Sequence, residues 1–477
     1  HRDLHSFPTR RSSDLVGLLA NKFPNAKAAT SEIINLRAIL ALPKGTEYFL
    51  SDLHGEHEAF IHMIQSASGI IKSKIDELFE GKLTEKERYD LAALIYNPKA
   101  EIKRRQKQSD YYEWCYKSIY NMIDVCRSVS TKYTRSKVRN LLARDYAYIL
   151  DELLHADDEA NRAHYYKEII TAVMDSDERE DFICEMADTA SRLAVDKLHI
   201  VGDIYDRGAH PDTIMDYLMK FHDVDLQWGN HDIIWMGAAA GHWASICNVL
   251  RMNISYNNFD MLEDGYGINL RVLSEFAQKV YGDDPCEYFK PKRFDLNRFD
   301  PVDDLLAARM HKAIAICQFK IEGQRIEAHP EYELDHRLLL DKIDFKKGTV
   351  DIQGKIYEMR DSNLPTVDTE NPYQLTKEEY SMMKAISLSF KRSKQLQKHI
   401  GFLFSHGSLY SVQNKNLMYH GCIPMDENGD FIECTLNNHT SKGKAYMDYL
   451  DEQIRKAYYR AKDSEETGYS APTRSEE

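Results

Sequence analysis

Tyr48-Phe49-Leu50-Ser51-Asp52-Leu53-His54-Gly55-Glu56 carries the first reading of this chain: a short apolar, β-prone run that ends in an Asp-x-His pair. Two later stretches share its build. Leu198-His199-Ile200-Val201 leads into Gly202-Asp203-Ile204-Tyr205-Asp206-Arg207, and Leu226-Gln227-Trp228 leads into Gly229-Asn230-His231-Asp232. Strands that end in polar residues of this kind predict a single crevice, because groups at the carboxyl ends of adjacent strands converge. The expected fold class is α/β.

The residue types then suggest a chemistry. Residues two apart on an extended segment share a face, so Asp52 and His54 can hold one metal together. Asp203 offers two carboxylate oxygens and can bridge that metal to a second, to which Asn230 brings a neutral carbonyl oxygen. Asp, His and Asn together suit hard or borderline divalent cations. Such paired ions sit roughly 3.5–4 Å apart and activate a bridging water as hydroxide for in-line attack on phosphorus. Arg207 is placed to grip phosphate oxygens bidentately. His231 is placed to protonate a leaving alkoxide, with Asp206 holding its other ring nitrogen.

One later histidine should complete the second ion's ligands. His420-Gly421 follows a strand candidate at 416–419, and His406-Gly407 competes with it. His242 and His329 read as structural, and His57 as a neighbour of the site or a surface residue. Taken singly, each motif also occurs in ordinary turns, where Gly and Asn satisfy the backbone. It is their joint occurrence, in order and each behind a strand, that carries weight.

Composition bounds the alternatives. The 477 residues are 43% hydrophobic and 29% charged, with only 13 Pro and 22 Gly, so a large core is affordable. A net charge of -14 argues against nonspecific nucleic-acid binding. An anionic substrate stays open, since bound cations dominate their local field. Eight dispersed cysteines without a C-x-x-C pair read as reduced thiols in a cytoplasmic protein. No apolar run approaches the ~20 residues of a membrane helix.

Around the motifs the chain reads as mainly helical. Residues 33–40 repeat at helical spacing before Pro43-Lys44-Gly45 breaks the pattern. Residues 70–197 read as a helical insertion, with a capping box at Thr84-x-x-Glu87 and helices over 111–128, 137–154 and 179–195. Residues 233–250 read as one apolar helix, Ala313–Ile321 alternates weakly, and Thr376-x-x-Glu379 caps another helix. The expected layout is a non-native leader at 1–15, with a strandless Asp3-Leu4-His5, and a catalytic domain over 16–69 and 198–462. A disordered tail follows at 463–477.

These motifs resemble the metallophosphoesterase superfamily. The stretches Phe49–Glu56, Trp235-Met236-Gly237-Ala238-Ala239-Ala240-Gly241, Asn371-Pro372-Tyr373, Phe404–Ser408 and Tyr419-His420-Gly421-Cys422-Ile423-Pro424 are similar to bacterial class III fructose-1,6-bisphosphatase. The resemblance implies hydrolysis of the 1-phosphate of fructose 1,6-bisphosphate in gluconeogenesis, with two divalent ions, manganese the usual one. It implies a metallo-dependent phosphatase sandwich of two mixed sheets flanked by helices. It places Asp52, His54, Asp203, Asn230 and His420 at metal positions, and Asp206, Arg207 and His231 at phosphate-binding and acid positions. It further implies a late Gly-His ligand that this chain lacks after His420, so the chain reads as C-terminally truncated. The competing readings are a protein serine/threonine phosphatase, a dinucleoside-polyphosphate hydrolase, and an inactive metal-binding fragment. Expected partners are a sugar bisphosphate and a second copy in a homo-oligomer, with neither nucleic acid nor membrane.

Overall fold

Each of the three apolar runs forms a strand: β1 (Glu47–Ser51), β2 (Lys197–Val201) and β3 (Val224–Gln227). Later strands are β4 (Ile343–Asp344), β5 (Thr349–Ile352), β6 (Lys355–Glu358), β7 (Gly407–Ser408), β8 (Tyr410–Gln413), β9 (Asn416–Tyr419), β10 (Cys434–Leu436) and β11 (His439–Ser441). The computed structural model describes residues 19–142, 144–155, 163–292 and 302–466. The expected leader and Asp3-Leu4-His5 lie outside the described residues. The expected disordered tail begins inside a helix, Gly443–Glu466, and from 467 lies outside them.

One sheet, in the order β1-β2-β3-β7, organises the three motifs. β2 and β3 run parallel with Leu198 opposite Val224, and β3 and β7 run parallel with Leu226 opposite Gly407. Beyond β1 and β2 the pairing continues in step: Asp52 N–H donates to Gly202 C=O (3.1 Å), His54 N–H to Asp203 C=O (2.8 Å) and Gly55 N–H to Ile204 C=O (2.9 Å). That continuation holds the first two motifs side by side. Leu198, His199 and Ile200 of β2 are all buried, as a parallel strand covered on both faces requires. The chain is therefore α/β. Two mixed sheets are expected; among the described residues the pairs β2–β3 and β3–β7 of this sheet are parallel, and β4-β5-β6, β8-β9 and β10-β11 are separate antiparallel sheets.

The chain divides into two compact units, His1–Glu47 with His62–Asp196, and Tyr48–Ile61 with Lys197–Glu477. Apart from Glu47, where β1 begins, the regular elements of the first unit's described part are helices. Cys115, Ile119, Met122, Cys126 and Val129 make one buried stripe on the helix Tyr111–Ser130, at spacings of four and three. The helix expected over 137–154 is two, Arg135–Leu141 and Ala147–Leu154. Both expected capping boxes, at Thr84 and Thr376, are present.

The second unit holds the sheet and a helical layer. The single helix expected over 233–250 is two, Asn230–Ala239 and Trp243–Ser255. Gly241, at φ +87°, is the break, a conformation that glycine adopts without the Cβ clash. The weak alternation at Ala313–Ile321 is the centre of a long helix, Asp304–Ala328. Ala313 through Cys317 are all buried, and beyond them Lys320 is buried while Phe319 is exposed, so burial and polarity do not coincide and the helical period is hidden.

The same helix buries Lys312 completely, with Nζ 2.6 Å from Asp284 and 2.7 Å from Asp361. Burial raises the Asp284 pKa, but Lys312, the Cys286 N–H and the Asn363 amide outweigh it and hold Asp284 down at about 2. Lys312→Met leaves two carboxylates without their cation and is expected to cost about 3–5 kcal/mol, read as a lower denaturation midpoint. In the parent chain the Asp284 contribution is present above its unfolded pKa of about 4 and fades as pH falls toward 2. An unchanged midpoint in the variant would show that the ion pair stabilises nothing.

Candidate active site

Five non-glycine residues in the first two motifs have left-handed backbones: Asp52 (φ 54°), His54 (φ 43°), Asp203 (φ 55°), Asp206 (φ 68°) and Arg207 (φ 71°). Such conformations cost of order 1–3 kcal/mol each and persist where the surroundings impose them. At Asp203 the surrounding group is Asp232. Its fully buried carboxylate accepts N–H bonds from Gly229 (2.9 Å), Asp203 (2.9 Å), Ile204 (2.9 Å) and Tyr205 (3.4 Å). Burial pushes the Asp232 pKa up to about 6 against the pull of those donors. Asp232 thereby ties the second motif to the third.

Two overlapping clusters of ligand atoms result. Asp52, Asp203 and His420 form one, and His54, Asp203 and His231 the other, with all atoms of each cluster within 4.8 Å of one another. Asp203 belongs to both. Its Oδ2 lies 3.2 Å from His420 Nε2 and 3.9 Å from His54 Nε2, and His54 Nε2 lies 3.9 Å from Asp52 Oδ1.

The donor set fits divalent cations. His54 Nδ1 faces the Tyr205 carbonyl at 3.2 Å and His420 Nδ1 faces the Val201 carbonyl at 2.9 Å. A carbonyl only accepts, so each Nδ1 carries the proton and each Nε2 presents a lone pair beside the Asp203 carboxylate, where a cation could take both. This backbone anchoring of the distal ring nitrogen is how metal-binding histidines are fixed in tautomer and direction.

Gly202 and Gly229 make the close approaches possible. A Cβ on Gly202 would collide with the His420 ring, and a Cβ on Gly229 with the Asp203 carboxylate. Asn230 is the first residue of its helix and is exposed. Arg207 is also exposed, its carbonyl held by the Asn258 amide at 2.9 Å.

His231 Nδ1 bonds Asp206 Oδ2 at 2.7 Å, which leaves Nε2 as the available nitrogen. That bond raises the His231 pKa against the opposing pull of burial. The competing histidines fall elsewhere. His406 bonds Ser405 and stacks on Phe402, His242 bonds Ser245, and His329 pairs with Glu331. His57 packs edge-on against His210 at 4.5 Å. Asn253 and Asn258, both buried, were missed in the motif reading; the available signal was an asparagine set among the apolar Val249, Leu250 and Ile254.

Among the described residues no helix is long and apolar enough to cross a membrane. The Firmicute fructose-1,6-bisphosphatase family model matches residues 14–470. The chain is 49% identical over 455 residues to the class 3 fructose-1,6-bisphosphatase of Clostridium tetani (strain Massachusetts / E88), covering 95% of this chain and 69% of that protein. It is 49% identical over 445 residues to that of Clostridium novyi (strain NT), covering 93% and 67%. The value is again 49%, over 454 residues, for Clostridium botulinum (strain Loch Maree / Type A3), covering 95% and 68%. No solved structure gives a significant match. With a family model matched across nearly its whole length and relatives this similar, the chain belongs to the Firmicute fructose-1,6-bisphosphatase family.

Proposed function

We propose that this chain is a metal-dependent phosphomonoesterase that hydrolyses fructose 1,6-bisphosphate to fructose 6-phosphate and phosphate. The observation that carries the proposal is Asp203, a buried carboxylate shared by two clusters whose anchored histidines turn their Nε2 toward it. Family membership supplies the substrate.

The proposed ligand sets are Asp52, His54 and Asp203 for one ion and Asp203, Asn230 and His420 for a second, which regroups the clusters above, where Asp52 lies with His420 and His54 with His231; manganese is the proposed metal. When bound, such ions supply Lewis acidity toward phosphoryl oxygens and lower the pKa of the attacking water. Arg207, exposed at the site, binds the phosphoryl oxygens and orients phosphorus for in-line attack. As the bond from phosphorus to the sugar oxygen breaks, His231 Nε2 gives its proton to that oxygen. Asp206 keeps the Nδ1 proton in place through their 2.7 Å bond. The metallo-dependent phosphatase sandwich, with β1-β2-β3-β7 as one of its sheets, belongs to the same proposal, as do 70–197 as an insertion, a cytoplasmic location and a homo-oligomer.

His231 also lies within reach of His54 and Asp203, which favours a second reading of it as a ligand. A leaving-group comparison separates the roles. As a proton donor, His231→Ala should lose about 10²-fold on fructose 1,6-bisphosphate and far less on 4-nitrophenyl phosphate, whose leaving group needs no proton. Equal losses on both, with metal content reduced, would make it a ligand. The enzyme reading itself is tested by phosphate release from fructose 1,6-bisphosphate with manganese and after chelation. A folded, metal-loaded chain that releases none would sink it.

A further inference from the structure

We propose that Trp235 and Asn253 are positioning residues for the reaction, acting through Asp206 to fix the proton of His231. The proposal rests on the reading of His231 as the proton donor.

Asp206 is fully buried, and both of its carboxylate oxygens are engaged. Oδ2 faces His231 Nδ1 at 2.7 Å. Oδ1 accepts the Trp235 indole N–H at 2.8 Å and the Asn253 amide N–H at 3.0 Å. A carboxylate has one free rotation, and two donors converging on one oxygen stop it. The other oxygen is then aimed at the imidazole, and an acceptor there keeps the Nδ1 proton on the ring. Without the two donors the carboxylate turns, and the ring loses both its direction and its tautomer.

Both donors are themselves fixed. Trp235 and His231 sit four residues apart on one face of the helix Asn230–Ala239, and the indole stacks on Tyr205 with ring centres 4.7 Å apart. The Asn253 amide also donates to the Val249 carbonyl, one turn back, at 2.8 Å. Its Oδ1 accepts from Asn258 at 3.4 Å, and Asn258 donates to the Arg207 carbonyl at 2.9 Å. Asn258 keeps its own bonds to the Arg207 and Gly208 carbonyls (2.9 and 3.3 Å), so the group that Asn253 itself holds is Asp206. A buried asparagine among apolar residues is costly unless each of its bonds is made, and here both ends of the amide have partners.

The test is a double-mutant cycle on fructose 1,6-bisphosphate turnover with manganese, using Trp235→Phe, Asn253→Leu, His231→Ala and each of the first two combined with the third. Trp235→Phe keeps an aromatic ring but removes the N–H; Asn253→Leu keeps the volume but removes the donor. Each is expected to lower kcat about tenfold at unchanged KM. Neither should lower it further once His231 is alanine, since a strut acts only through what it holds. Losses that multiply with an impaired His231→Ala overturn the strut and leave the donor reading intact. A His231→Ala chain that turns over at the parental rate overturns the donor reading, and the strut with it. A spectroscopic arm is independent of turnover: the Nδ1 proton of His231 should give a downfield, slowly exchanging NMR signal. That signal should broaden in both single variants, and its persistence in both overturns the proposal.

Discussion

Asp203→Asn is expected to empty both metal clusters at once and to lower kcat/KM by about 10³-fold, equivalent to about 4 kcal/mol of transition-state stabilisation. The expectation follows from Asp203's position: it is the one residue common to the two clusters, and its Oδ2 faces both His54 and His420. Asparagine is the informative replacement. Asp203 has φ 55°, a region that asparagine tolerates and alanine does not, so the backbone is spared while the charge is lost. The amide can still occupy the place where Oδ1 accepts the His231 N–H at 3.1 Å. His54→Ala and His420→Ala, each confined to one cluster, should leave more bound metal than Asp203→Asn does. Metal content per chain after dialysis is the direct readout. Parental metal content in Asp203→Asn would remove Asp203 from the ligand set.

Much of this site could be read along the chain because its parts are local. A strand signal followed directly by Asp52-Leu53-His54 or Gly202-Asp203 needs no knowledge of distant residues, and the three strands form where those signals lie. The choice between His420 and His406 was different in kind. Both are histidines beside a glycine near a short strand, and only the long-range approach of His420 to Gly202 and Asp203 separates them. Element boundaries failed for a related reason. Ala313–Ile321 sits in a helix where Lys320 is buried and Phe319 exposed, so polarity does not mark the period, and Gly241 separates what reads as one helix into two. Asn253 shows in the sequence only as a polar residue among apolar ones, because its partner Asp206 lies 47 positions away.

Asp232 tests whether the strained backbone is imposed from outside the first two motifs. Asp232→Ala is expected to destabilise the second unit by about 4 kcal/mol and to abolish most turnover, although this carboxylate belongs to neither metal cluster. Removing it strands four buried N–H groups, those of Gly229, Asp203, Ile204 and Tyr205. It also removes what holds Asp203 at φ 55°, a conformation whose cost must be met by its neighbours. Asp232→Asn should fall between the two. Its carbonyl oxygen can serve the donors at one oxygen position, but its NH₂ would face N–H groups at the other and repel them. Amide hydrogen exchange separates this account from a simple loss of packing. If Asp232 is the clamp, exchange should accelerate first at Asp203, Ile204 and Tyr205, while the amides of the buried strand Lys197–Val201 stay protected. Uniform acceleration across the unit would instead mean that the side chain contributes to the core as a whole, and that the left-handed residues are held by their own loops.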